Sequence, residues 1–158
     1  MTQIISPTHG KIEQGSMGEE IAYEAATTKL GLSGTNFTPA AHGLDGVFRD
    51  APTGQLVVMD AKFAVGNPFS SLGETKKGGT QLGRDWILTK AECMQRQESA
   101  QYTQKNAELG AELKNALKDS NVGIRTVLIH TNPEIMKTVA YEYKGNGDIR
   151  SSDNWKQL

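Results

Sequence analysis

The stretch that most limits how this chain can fold is residues 55–63, Gln-Leu-Val-Val-Met-Asp-Ala-Lys-Phe. It is dense in strand-forming residues. Turn chemistry bounds it on both sides, with Asp50-Ala51-Pro52-Thr53-Gly54 before and Gly66 and Pro68 after. Alternate side chains of a strand share a face. Val57, Met59, Ala61 and Phe63 therefore form one wholly apolar face, suited to a core. Leu56, Val58, Asp60 and Lys62 form the other, which is apolar for two residues and then ends in an acid and a base. Those two charges point the same way at the strand's C-terminal end, where a sheet opens to a cleft.

Around this strand the pattern alternates helix and strand. A helix is expected from Ser16, with Glu19 at capping-box spacing. Met17, Ile21, Ala22, Ala25, Ala26 and Leu30 follow at helical spacing, and Gly31 or Gly34 closes the helix. Residues 33–43 read as loop. Residues 44–49 read as a strand that pairs with 55–63 as a hairpin. The Gly-, Ser- and Thr-rich residues 64–83 read as a loop over one end of the sheet. A helix over 84–97 carries the stripe Trp86, Ile87, Lys90, Ala91 and Met94. After a polar break, a second helix carries Ala107, Leu109, Leu113, Ala116 and Leu117. Strands are expected over 122–131 and 138–143, and Asn146-Gly147 is a strong hairpin-turn signal. This order predicts an α/β fold with a mixed central sheet flanked by helices. At 158 residues the chain is long enough for one cored domain. Residues 1–15 read as a loose lead-in and 16–158 as the domain.

Composition narrows the function classes. Cys93 is the one cysteine, which excludes an internal disulfide framework and a Cys-based zinc cluster. No apolar run approaches the ~18 residues of a membrane span. Residues 1–10 lack a signal-peptide pattern, so export would need a carrier. The net charge of −1 argues against a strongly basic surface, but the charges are unevenly distributed. Residues 1–60 hold Lys11, Lys29 and Arg49 against seven carboxylates. Residues 61–90 hold Lys62, Lys76, Lys77, Arg84 and Lys90 against Glu74 and Asp85. A site for a metal and then a phosphate has this layout, and so does an ordinary mixed surface.

Asp45 opens the strand before 55–63. If the two strands pair as a hairpin, it lies beside Asp60. Two carboxylates so close repel unless a cation sits between them. Mg²⁺ takes oxygen ligands and often relies on one or two carboxylates plus substrate phosphate. Lys62 would face the same point. The alternative is a surface hairpin with one Asp–Lys ion pair on its solvent face.

These residues resemble the PD-(D/E)XK nuclease superfamily. Gly15-x-x-Gly18-Glu19-x-x-Ala22 is similar to its first-helix signature, Asp45 stands where its lone Asp falls, and Asp60-Ala61-Lys62 matches its closing triplet. Gly78-Gly79-Thr80-Gln81-Leu82 and the Trp86-Ile87 helix are similar to a segment of toxin members, including contact-dependent growth inhibition toxins. The likeness covers residues 15–90; no Pro precedes Asp45. It implies a restriction-endonuclease-like α/β sandwich and a metal-dependent endonuclease, an RNase or DNase that hydrolyses phosphodiesters of tRNA or DNA. It also implies a bound Mg²⁺, Mn²⁺ or other divalent cation, held by Asp45, Asp60 and the Ala61 carbonyl. Glu19 would complete the acidic set and Lys62 would position the water. Lys76, Lys77, Gln81 and Arg84 would bind substrate. Delivery within a larger secreted protein, action in a target-cell cytoplasm and a cognate immunity protein, acidic and seated over residues 66–86 or the cleft, are further implications.

Glu20 competes with Glu19 for the acidic role, because Glu19 at capping-box spacing has a structural use. His42 is a weaker candidate for substrate contact, and His9 and His130 are too scattered for zinc. A free-standing DNA-processing nuclease and a catalytically inactive nuclease-like binding module are the alternatives. The presence of Asp45, Asp60 and Lys62 together speaks against the second.

Overall fold

The computed structural model describes residues 11–40, 42–75, 78–119 and 121–158, with the side chains of 11–16 left aside. At its centre is β3 (Leu56–Phe63), and residues 56–60 are buried. It pairs antiparallel with β2 (Gly46–Arg49) and parallel with β6 (Arg125–Asn132). A parallel neighbour requires a long crossover. Residues 64–124 supply it, with the helices α2 (Arg84–Gln95) and α3 (Gln104–Lys118). β1 (Ser33–Gly34), β7 (Lys137–Tyr143) and β8 (Trp155–Gln157) complete a six-stranded mixed sheet of order β1-β2-β3-β6-β7-β8. The α/β class read from the element order is the one observed.

Both faces of β3 are covered. Leu56 and Val58 pack with Trp86, Ile87, Met94, Leu109 and Leu113 on the side of α2 and α3. Val57 and Met59 pack with Ala22, Ala25 and Ala26 on the other side, beneath α1 (Lys11–Glu24) and the π turn Ala25–Lys29 that extends it. The solvent-facing hairpin with a surface ion pair is thereby corrected: β3 is an interior strand. Its wet end is only the last three residues, where burial gives way to partial exposure.

Four local expectations differ. The first helix begins at Lys11, so Ser16 lies inside it and is not its cap; Lys11, Glu13 and Gln14 favour helix, and they carry it through Gly15. The loose lead-in expected over 1–15 is helix at 11–15, and residues 1–10 lie outside the described residues. The 33–43 loop contributes the short edge strand β1, paired to Phe48 and Arg49. Residues 64–83 contain a small ladder of β4 (Glu74–Thr75) with β5 (Gly79–Thr80). Asn146-Gly147 does not close a two-residue hairpin. The chain makes a wide loop from Tyr143 to its partner Trp155, held by Lys144 N–H to Asn154 O at 2.8 Å and by the indole of Trp155 to Ile149 O at 2.7 Å. No described helix is long and apolar enough to cross a membrane.

Candidate active site

Register brings the two aspartates together. The last paired residues of β2 and β3 are Gly46 and Met59. One step further, Asp45 stands opposite Asp60, and directly opposed residues of an antiparallel pair share a face. The ladder does not continue through Asp45. Its Oδ2 instead accepts the main-chain N–H of Ala61 at 2.9 Å. The N–H and C=O of one strand residue point to the same side, so the Ala61 carbonyl is also directed toward Asp45.

Asp60 is 6% exposed. Its Oδ2 is buried and makes no hydrogen bond among the described residues. Among the described residues it has an ion pair with Lys62, Nζ to Oδ2 at 3.5 Å. Burial first, and the Asp45 carboxylate second, push the Asp60 carboxyl well above the ordinary carboxylate range, against the pull of Lys62. The Asp45 side chain is near enough to share a proton with Asp60, which adds to the rise; once ionised, the buried oxygen is an acceptor that a cation would satisfy.

Lys62 is held by a second partner. Its ammonium donates to Gln81 Oε1 at 3.1 Å, and the same oxygen accepts Gly73 N–H at 3.2 Å. Gln81 therefore ties the loop after β3 to the end of that strand. Leu82, which follows, is buried with φ of 66°, a left-handed conformation uncommon for a bulky residue. The buried Leu82 side chain anchors the turn that presents Gln81.

Glu19 comes from α1, which packs on the other face of the sheet. It lines the same cavity, whereas Glu20 does not. Partial burial and then the Asp45 carboxylate raise its pKa. With the helix starting at Lys11, Glu19 has no capping task. The approach of α1 depends on Gly18: a Cβ there would lie 2.7 Å from Phe63 Cβ, at the end of β3.

The cavity has a volume of about 580 Å³ and joins Glu19, Asp45, Asp60, Ala61, Lys62 and Gln81. The remaining sequence candidates divide. Lys76 and Lys77 lie outside the described residues. Arg84 is not brought to the cavity: its guanidinium donates to Leu117 O at 3.1 Å, near the C-terminal end of α3, where carbonyls lack helical donors. His42 lines the cavity with φ of 62°. His130 is structural, with Nε2 2.6 Å from Ala64 O; His9 lies outside the described residues. The loop bearing His42 is pinned by buried Asn106, which accepts Thr38 N–H at 2.8 Å and donates to the carbonyls of Thr38 and Gln101.

Lys90 was missed as a site residue. It lines the cavity, donates to the His42 carbonyl and lies 5.6 Å from the centre of the Trp86 ring. The available signal was a lysine inside an otherwise apolar helical stripe.

Among the described residues, no three His, Cys, Asp or Glu side chains converge as a metal cluster. The donor set is smaller: two carboxylates and a main-chain carbonyl, with Glu19 at the rim. That set fits a hard divalent cation that completes its coordination with water and substrate phosphate, and the orphaned Asp60 Oδ2 favours it. Comparison with protein-family models, curated proteins and solved structures finds no match.

Proposed function

We propose that this protein is a metal-dependent nuclease that hydrolyses phosphodiester bonds at Asp45, Asp60 and Lys62. The observation that carries the reading is the buried, unbonded Oδ2 of Asp60 beside a second carboxylate and an anchored lysine, all in one open cavity. An isolated ion pair would need neither Asp45 nor Gln81.

Asp45, Asp60 and the Ala61 carbonyl would hold Mg²⁺ or Mn²⁺. When bound, such a cation neutralises phosphoryl charge and lowers the pKa of water. The chain's own residues orient the rest. Ala61 N–H fixes Asp45. Gln81 and Asp60 hold the Lys62 ammonium from two sides, leaving it a further N–H with which to align the attacking water and the developing oxyanion. Glu19, at the rim beside Asp45, would complete the acidic set around that cation.

The reading extends to a toxin delivered within a larger protein, acting on tRNA or DNA in the cytoplasm of a target cell and neutralised by a cognate immunity protein. Its support is the likeness of Gly78-Gly79-Thr80-Gln81-Leu82 and the Trp86-Ile87 helix to a segment of such toxins, beside the Glu19, Asp45 and Asp60-Ala61-Lys62 pattern of the wider superfamily. The test is incubation of purified protein with total tRNA and with plasmid DNA, in Mg²⁺ or Mn²⁺ and in chelator. Divalent-dependent cleavage of either polymer supports the reading; intact polymer under every condition opposes it.

A further inference from the structure

The cavity at Asp60 does not end at Lys90. A second cavity of about 530 Å³ lies beyond it, bordered by Gly78, Thr89, Glu92, Cys93 and Arg96, and it shares Thr75, Trp86 and Lys90 with the first. The two form a trough across α2. Pro39, Ala40, His42 and Gly43 wall the first cavity; Thr75 borders both cavities and Gly78 the second. Gly78 seats its wall on the helix, because a Cβ there would meet Trp86 Cα at 3.0 Å and Thr75 and Thr89 Oγ1 at 3.3 Å.

Lys90 stands where the cavities join. Its stem is half-buried, and the Trp86 face and the His42 carbonyl fix its ammonium. No carboxylate within ion-pair distance neutralises it among the described residues. An ammonium has three donors, so after the His42 bond it still has capacity for an anion in the trough.

We propose that this trough binds a single strand of nucleic acid, with Lys90 holding a phosphate that flanks the scissile one; the ligand class rests on the nuclease reading. The size of the cavities favours a single strand over a duplex: each has the volume of a small-molecule pocket rather than a broad groove. The Lys90 contact is to backbone phosphate, so RNA and DNA strands share it.

The test is fluorescence anisotropy in chelator, using end-labelled 12-nucleotide RNA and DNA strands and their duplexes. The proteins are the intact chain and its Lys90→Ala and Lys90→Arg variants, with Lys156→Ala on the edge strand β8 as control. Single strands should bind more tightly than duplexes, and the tighter of RNA and DNA identifies the sugar. Lys90→Ala should weaken strand binding by about five- to tenfold and reduce the salt slope by about 0.7, one phosphate's share for a single strand. Lys90→Arg should retain most of the affinity, and Lys156→Ala all of it. Equal or tighter duplex binding, no measurable strand binding, or a Lys90→Ala variant unchanged in both affinity and slope overturns the proposal. Lys90-dependent strand binding with no cleavage in Mg²⁺ would sink the nuclease reading alone. Cleavage that prefers duplex and ignores Lys90 would sink this proposal alone.

Discussion

The Lys62 ammonium and the Gln81 carbonyl oxygen meet at 3.1 Å, joining the end of the central strand to a residue 19 positions later. Among the described residues Lys62 has one carboxylate contact, at 3.5 Å to Asp60, so Gln81 decides where the ammonium rests. Gln81→Ala should lower cleavage by about 10- to 100-fold, since small displacements of a positioned group have effects of that size. The melting temperature should move little, because the pair lies at the wet end of β3. A circular dichroism melt beside a cleavage assay checks both; unchanged cleavage would remove Gln81 from the site.

The acidic pair should be visible in stability against pH. Burial and then Asp45 raise the Asp60 carboxyl, so above the ordinary carboxylate range the folded chain keeps a proton that the unfolded chain has released. Stability contributed by such a group falls as pH rises through that interval. Glu19, raised by partial burial and then Asp45, acts in the same direction. In chelator, the wild-type melting temperature should drop relative to Asp60→Asn as pH goes from acid to neutral. Mg²⁺ or Mn²⁺ at neutral pH should narrow or reverse the gap, because a metal binds the ionised carboxylates. Parallel curves in chelator would mean that Asp60 is not a strained carboxylate.

Gly18 should tolerate no side chain. A Cβ placed 2.7 Å from Phe63 Cβ must push α1 off the sheet or distort the end of β3. Gly18→Val should cost about 1–3 kcal/mol, the usual range for overpacking, and should withdraw Glu19 from Asp45. Chemical denaturation measures the first effect and cleavage rate the second. A stable, fully active Gly18→Val would show that the helix does not need this approach.

Much of this was legible because it is local. The period-two pattern of Leu56, Val58, Asp60 and Lys62 placed both charges on one face at one end. The turn at residues 50–54 fixed the hairpin and so brought Asp45 to Asp60. What stayed hidden depends on distant partners. Nothing near Val57 announces that the other side of β3 is taken by Arg125 and the strand it begins, so an interior strand read equally well as a surface one. Arg84 counted as a substrate cation because its target, the Leu117 carbonyl, is 33 residues away. Lys90 was read as part of an apolar stripe because the His42 carbonyl that receives it lies 48 residues earlier. Ser16 had a cap's spacing, yet helix-favouring residues before it carried the helix past.

The most direct test of the central claim is cleavage of labelled tRNA and DNA by wild type, Asp45→Ala, Asp60→Ala and Lys62→Ala, each with Mn²⁺ and with chelator. Folding is confirmed by thermal melting in the same buffers. The account predicts that wild type cuts only with the cation and that all three variants are folded but inactive. It also predicts that the cation raises the melting temperature of wild type and Lys62→Ala but not of the two Asp variants. Cleavage by wild type in chelator, or full cleavage by either folded Asp variant, would contradict it.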